Sequence, residues 1–215
     1  KLEAFALADT LSVRAQRAGA VNAFKFEADG TLAGENFDGE GLVRDIQHNL
    51  KRPVRGARVL LLGAGGGVRG VLGPLLAQSP ADIAIVNRTA DKATQLALAF
   101  RADGPVRGYA YDDLKTAGAR GGQAAFDIII NGTSASLDGE VPPLPDAAFA
   151  PGALAYDMMY GKGLTPFLAQ ARRAGAQVAD GVGMLVEQAA DSFAWWRGVR
   201  PDTAAALRAL AVPLV

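Results

Sequence analysis

The chain has 215 residues, and its 22 basic and 22 acidic side chains cancel, so nothing in its charge suits a polyanion such as nucleic acid. It has no cysteine and a single histidine, His48, which excludes disulfides, thiolate metal sites, a cysteine nucleophile and a histidine metal cluster. Half the residues are hydrophobic, yet no apolar run approaches the ~20 residues of a membrane span and no signal peptide is visible, so the chain reads as a cytoplasmic globular protein with room for one or two domains.

In chain order, residues 1–18 place Leu2, Phe5, Ala6, Ala8, Leu11, Ala15 and Ala18 at helical spacing, with Gly19 as the stop. Residues 21–26 and 31–34 predict two strands joined by a turn at Asp29-Gly30. Residues 39–50 predict a connecting helix, which ends in the polar link Lys51-Arg52-Pro53. From Arg58 the pattern changes to strand, glycine turn, helix, strand 83–86 and helix 90–100, with later strands at 126–131 and 153–157. Short apolar strands alternating with helices predict an α/β fold, a doubly wound parallel sheet covered on both faces. Residues 117–122 and 138–145 read as surface loops. An apolar stripe predicts a helix over 183–196, and Pro201 suits the start of a last helix over 202–210.

The strand Arg58-Val59-Leu60-Leu61-Leu62 runs into Gly63-Ala64-Gly65-Gly66-Gly67 and then a helical stretch. Such a turn brings backbone N–H groups and a helix N-terminus close to a pyrophosphate. Val68 stands where the fingerprint has a small residue, and the turn by itself also suits any α/β protein. Asn87-Arg88-Thr89, at the end of the second strand, narrows the choice. A carboxylate there would accept from the 2′-OH of NAD, whereas a guanidinium suits a 2′-phosphate. Arg88 therefore selects NADP. Lys92, one turn on, is either a second charge for the same phosphate or a solvated helix lysine. Asn131-Gly132-Thr133-Ser134 follows a strand whose C-terminal end should face the ligand crevice, and reads either as a crevice loop or as a plain Asn-Gly turn. His48 is expected to lie near a helix end, facing solvent or the helix dipole, Trp195 and Trp196 to pack the last helices with room for one at the surface, and Asp157 to cap or brace the turn after its strand.

Several runs together resemble the NADP-dependent shikimate dehydrogenase family: Ala18-Gly19-Ala20-Val21-Asn22, Gly34-Glu35-Asn36-Phe37-Asp38-Gly39, the turn at 63–67 and Asn87-Arg88-Thr89. Asn131-Gly132-Thr133-Ser134, Tyr156-Asp157-Met158-Met159-Tyr160 and the run from Asp180 to Ala189 continue the resemblance along essentially the whole chain. It implies reversible, NADPH-dependent reduction of 3-dehydroshikimate to shikimate, a step in chorismate and aromatic amino-acid biosynthesis. It also implies substrate held in a cleft between two domains, and it leaves a homodimer open. The domain boundaries expected are 1–39 for part of a substrate domain, 40–180 for a Rossmann-like NADP domain, and 181–215 for helices returning to the first part. Lys1 matches the family's catalytic lysine and Asp38 its partner carboxylate. Asn22, Tyr160 and Gln188 match positions that bind substrate. Gly63, Ala64, Gly65, Gly66, Asn87, Arg88, Thr89, Met158 and Gly181 match cofactor positions, and no metal is expected. These residue types suit the reaction, because reduction of a ketone leaves an alkoxide that a lysine ammonium can protonate while an aspartate holds the lysine.

The resemblance has departures. Ala23 and Phe37 stand where threonine is usual, and Phe37 adds bulk beside Asp38, which favours an altered preference such as quinate. The family's N-terminal part is expected to be missing ahead of Lys1. Were Lys1 the true terminus, NADP binding with little turnover, a non-catalytic module, is the expectation.

Overall fold

The computed structural model describes residues 1–114, 125–133, 141–161, 163–211 and 213–214. The expected helix over 1–18 is broken in two: α1 (Leu2–Leu7) and α2 (Val13–Ala18) flank a short strand, β1 (Thr10–Leu11). Asp9 causes the break. Its N–H donates to Leu32 O at 2.9 Å and its carboxylate accepts from Leu32 N at 2.7 Å, which draws the chain alongside a strand. Six-residue helices gain too little from propensity alone to resist such pairing. Ser12 Oγ then accepts from Ala15 N at 3.0 Å and opens α2, and Gly19 closes it at φ +62°.

The two expected strands form as β2 (Ala23–Phe26) and β3 (Leu32–Glu35), antiparallel through the turn at Gly30, and with β1 they make a small sheet of order β1-β3-β2. The connecting helix starts as α3 (Asp38–Arg44) and widens to a π-helical turn at Asp45–Asn49. His48 is exposed near the end of that turn, as expected.

The larger sheet contains β4 (Arg58–Leu62), β5 (Asp82–Val86), β6 (Val106–Tyr109), β7 (Phe126–Asn131), β8 (Phe149–Asp157) and β9 (Gln177–Ala179), all parallel, in the order β6-β5-β4-β7-β8-β9. The order reverses beside β4, the arrangement that opens a crevice at the carboxyl ends of the strands. Successive side chains of β4 divide between two cores. Val59 and Leu61 pack on the side of α4 (Gly66–Leu76) and α5 (Ala90–Phe100), whereas Leu60 and Leu62 pack with Phe167 and Leu168 of α6 (Pro166–Arg173). Burial on both faces is why these strands read as unbroken apolar runs. The chain closes with α7 (Val182–Arg197) and α8 (Ala204–Leu210). The expected loop at 117–122, residues 138–140 of the second loop, and Ser134 lie outside the described residues.

Two glycines hold α3 between α4 and α7. A Cβ on Gly39 would lie 2.5 Å from the Pro74 ring of α4, and one on Gly41 would lie 2.7 Å from Met184 O of α7. Only glycine allows both approaches, and together they fix Asp38 at the crevice. At its far end α7 meets the small sheet, where Trp196 Nε1 donates to Phe24 O at 2.7 Å.

Candidate active site

Two cavities meet at the carboxyl ends of β4, β7 and β8. The first, about 630 Å³, gathers Gly63, Ala64, Gly65, Gly66, Asn87, Arg88, Thr89 and Lys92, with Tyr111 on its wall. Gly63 stands at φ +101°, and its N–H donates to Val86 O at 2.7 Å, which turns the chain out of β4 into α4. Gly65 is the N-cap of α4 and brings no side-chain cap, and a Cβ on Gly65 or Gly66 would meet nothing within 4 Å. An uncapped helix start facing open space suits an anion. Arg88 and Lys92 are exposed at the same cavity and form no ion pair among the described residues. Burial raises the Tyr111 hydroxyl above its ordinary pKa, with the nearby Arg88 guanidinium opposing it. The cradle, the helix terminus and the two cations have the chemistry that a phosphorylated dinucleotide requires.

Val68, the large residue in the fingerprint, has a structural explanation. It is fully buried, and a Cβ on Gly132 would lie 2.5 Å from its methyl carbon. The space a small residue leaves in α4 elsewhere is here left by a glycine on the facing loop.

The second cavity, about 540 Å³, gathers Lys1, Asn22, Asp38, Met158, Tyr160, Gly181 and Gln188, and shares Gly67, Gly132 and Thr133 with the first. Lys1 Nζ makes an ion pair with Asp38 Oδ2. Lys1 opens α1, and its carbonyl accepts from Val21 N at 3.2 Å, so its backbone is tied to the small sheet. Asp38 is nearly buried, and its N–H donates to Asn36 Oδ1 at 3.0 Å. Asn22 Nδ2 donates to Asp38 Oδ1 at 2.9 Å and to Gln188 Oε1 at 3.2 Å. Tyr160, half exposed, lies at the rim. Met158 and Gly181, expected at the cofactor, line this second cavity.

Sequence reasoning missed Tyr111, Met159, Met184 and Leu185, which also line the cavities. Met159, Met184 and Leu185 lie in runs that carried the resemblance without being singled out, and Tyr111 lies in no motif. Asp157 braces as expected: fully buried, it accepts from Asn131 Nδ2 at 3.2 Å, Met159 N at 3.1 Å and Thr165 Oγ1 at 2.7 Å. Asn131 Oδ1 in turn accepts from Thr133 N and Oγ1 at 3.1 and 2.7 Å. One carboxylate thereby ties together the loops that follow β7 and β8.

Phe37 corrects an expectation. Its ring does not line the cavity; it packs edge-on against Trp195 at 5.9 Å, with the Arg14 guanidinium 5.2 Å from its centroid. Its bulk is taken up by these contacts rather than by the cavity.

A doubly wound sheet whose glycine turn adjoins a second cavity holding a lysine–aspartate pair defines a dinucleotide-dependent oxidoreductase. Residues 45–138 match the family model described as Shikimate / quinate 5-dehydrogenase, and residues 181–211 match Shikimate 5'-dehydrogenase C-terminal domain. A shikimate dehydrogenase (NADP(+)) of Aromatoleum aromaticum is 59% identical over 98% of this chain and 74% of its own. That of Dechloromonas aromatica is 56% identical over 100% of this chain and 76% of its own. The crystal structure of an Ael1 enzyme from Pseudomonas putida superposes with a TM-score of 0.90 at 55% identity, covering 100% of this chain and 76% of that one. The chain belongs to the shikimate dehydrogenase family.

Proposed function

We propose that this chain catalyses the reversible NADP-dependent interconversion of 3-dehydroshikimate and shikimate in the cytoplasm. The observation that carries the reading is the Lys1–Asp38 ion pair in a cavity that shares Gly67, Gly132 and Thr133 with the nucleotide cavity. When bound, NADPH supplies the hydride that adds to the substrate carbonyl carbon. The carbonyl oxygen then gains a proton, and the Lys1 ammonium is placed to give it. Asp38 orients Lys1 through their ion pair and accepts from a neighbouring ring hydroxyl. Asn22 and Gln188 offer amide donors and acceptors for further hydroxyls, and Tyr160 closes the rim. In the reverse direction neutral Lys1 takes the hydroxyl proton.

Residues 1–39 and 181–215 carry most of the substrate groups in this reading, and 40–180 carry most of the nucleotide groups. The test is reduction of NADP⁺ by the purified protein with shikimate, beside NAD⁺ and beside quinate. Fast turnover with shikimate and NADP⁺ supports the reading, and turnover on quinate alone refutes it.

A further inference from the structure

The substrate cavity depends on how the first turns of α7 are seated, because they carry Met184, Leu185 and Gln188 to its wall. A helix start leaves N–H groups without intrahelical partners, and an N-cap side chain normally serves one of them. Here that route is closed. The N-cap is Gly181, and a Cβ there would lie 2.4 Å from Met158 O. No residue with an oxygen-bearing side chain fits. Gly183, in the same turn, is pressed as closely against Asp45, whose Oδ1 would lie 2.0 Å from an added Cβ.

Asp180 Oδ1, just ahead of the helix, accepts from Val182 N–H at 3.2 Å, and the acceptor for Met184 comes from across the core. Tyr156 on β8 is fully buried; its Oη donates to Asp45 Oδ2 at 2.7 Å and accepts from Met184 N–H, the third residue of α7, at 3.2 Å. We infer that Tyr156 is a positioning residue for the substrate cavity, supplying from β8 the acceptor that Gly181 cannot offer Met184, while Asp45 turns the hydroxyl so that a lone pair faces Met184. Gln188 follows Met184 by one turn, and its contact with Asn22 at 3.2 Å is set by that seat. Tyr156 itself lies outside the cavity lining. Asp45 is held in turn by Asn49 Nδ2 at 2.9 Å, which also reaches Glu187 Oε1 at 3.0 Å. Burial raises the Asp45 carboxyl above its ordinary pKa and lifts the Tyr156 hydroxyl well above its own. The hydroxyl therefore keeps its proton, as donation to Asp45 requires.

This inference rests on reading the second cavity as the shikimate site, which wild-type turnover tests separately; exchange at Met184 tests the cap whatever the cavity binds. The variant is Tyr156→Phe, which keeps the ring and removes the oxygen. Its shikimate KM is expected to rise about fivefold, the size of one lost cap, with the NADP KM unchanged. Hydrogen–deuterium exchange over residues 182–188 is expected to quicken about tenfold while the sheet stays protected. Either change without the other, or equal rises in both KM values, overturns the inference. Should Tyr156→Phe be recovered unfolded, Asp45→Ala, which removes the acceptor of the Tyr156 hydroxyl, gives the same comparison. The two readouts are then expected to move together, and a shikimate KM that rises while Met184 stays protected overturns it.

Discussion

Asn22 Nδ2 lies 3.2 Å from Gln188 Oε1, a contact between residues 166 positions apart in the chain. The same nitrogen donates to Asp38 Oδ1 at 2.9 Å, and Asn22 Oδ1 accepts from Phe37 N–H at 3.0 Å. With both ends of the amide engaged, its orientation is set, and one side chain joins the small sheet, α3 and α7 around the Lys1–Asp38 pair.

Removing that side chain should therefore act on catalysis more than on folding. Asn22→Ala strips a donor from the Asp38 carboxylate, and hydrogen bonds to charged groups contribute ~1.5–3 kcal/mol. Steady-state kinetics should show kcat/KM for shikimate lowered about 10- to 100-fold with the NADP KM unchanged. A comparable loss in NADP affinity would mean that Asn22 serves the fold rather than this cavity.

Arg88 is expected to choose the coenzyme. Arg88→Ala should weaken NADP binding about 10- to 100-fold, the range for charge-assisted contacts to one phosphate, and leave NAD binding nearly unchanged. Titration with both coenzymes decides this, and undiminished discrimination would remove Arg88 from the site.

The Gly132–Val68 contact predicts an overpacking effect and its relief. Gly132→Ala places a Cβ where Val68 and, at 3.2 Å, Met158 Sδ already lie. Its denaturation midpoint should fall by the equivalent of about 1–3 kcal/mol, and Val68→Ala in the same chain should recover part of that. Simple additivity of the two losses would contradict the account.

Glu187 gives the pH dependence. Burial would raise its pKa, but hydrogen bonds from Asn49, Arg200 and Thr203, with the Arg200 charge, outweigh this and hold it below the ordinary value. A carboxyl lowered in the folded state binds fewer protons there than in the unfolded chain. Its contribution is complete above the unfolded value of about 4.3 and is lost as pH falls through the folded one. The stability advantage of the wild type over Glu187→Gln, about 1–3 kcal/mol at neutral pH, should shrink on acidification below that point. An advantage that grows in acid would reverse the assigned direction.

Much of the larger sheet was legible because its central strands are covered on both faces. The runs of β4, β5 and β7 and the helix α5 appear in the sequence almost to the residue. Edge elements were not. β6 reads Val106-Arg107-Gly108-Tyr109 and β9 has three residues, too short and mixed for a period to show. The break between α1 and α2 hid in an alanine-rich stretch because its cause, the pairing of Asp9 with Leu32, is non-local. The nucleotide residues could be argued from chemistry at strand ends. Lys1, Asn22 and Gln188 needed the family resemblance, since no spacing announces side chains from opposite ends of a chain. Phe37 misled because a position in sequence does not say which way a ring turns, and Tyr156 was silent because its hydroxyl sits in an apolar strand.

The proton-handling role of Lys1 is the central claim, and Lys1→Met tests it most directly, keeping an unbranched side chain one atom shorter and removing its charge. Single-turnover reduction of NADP⁺ by shikimate should slow about 10²- to 10⁴-fold, the range for a lost general acid–base group, while NADP binding is unchanged. A variant that turns over at the wild-type rate would contradict the account.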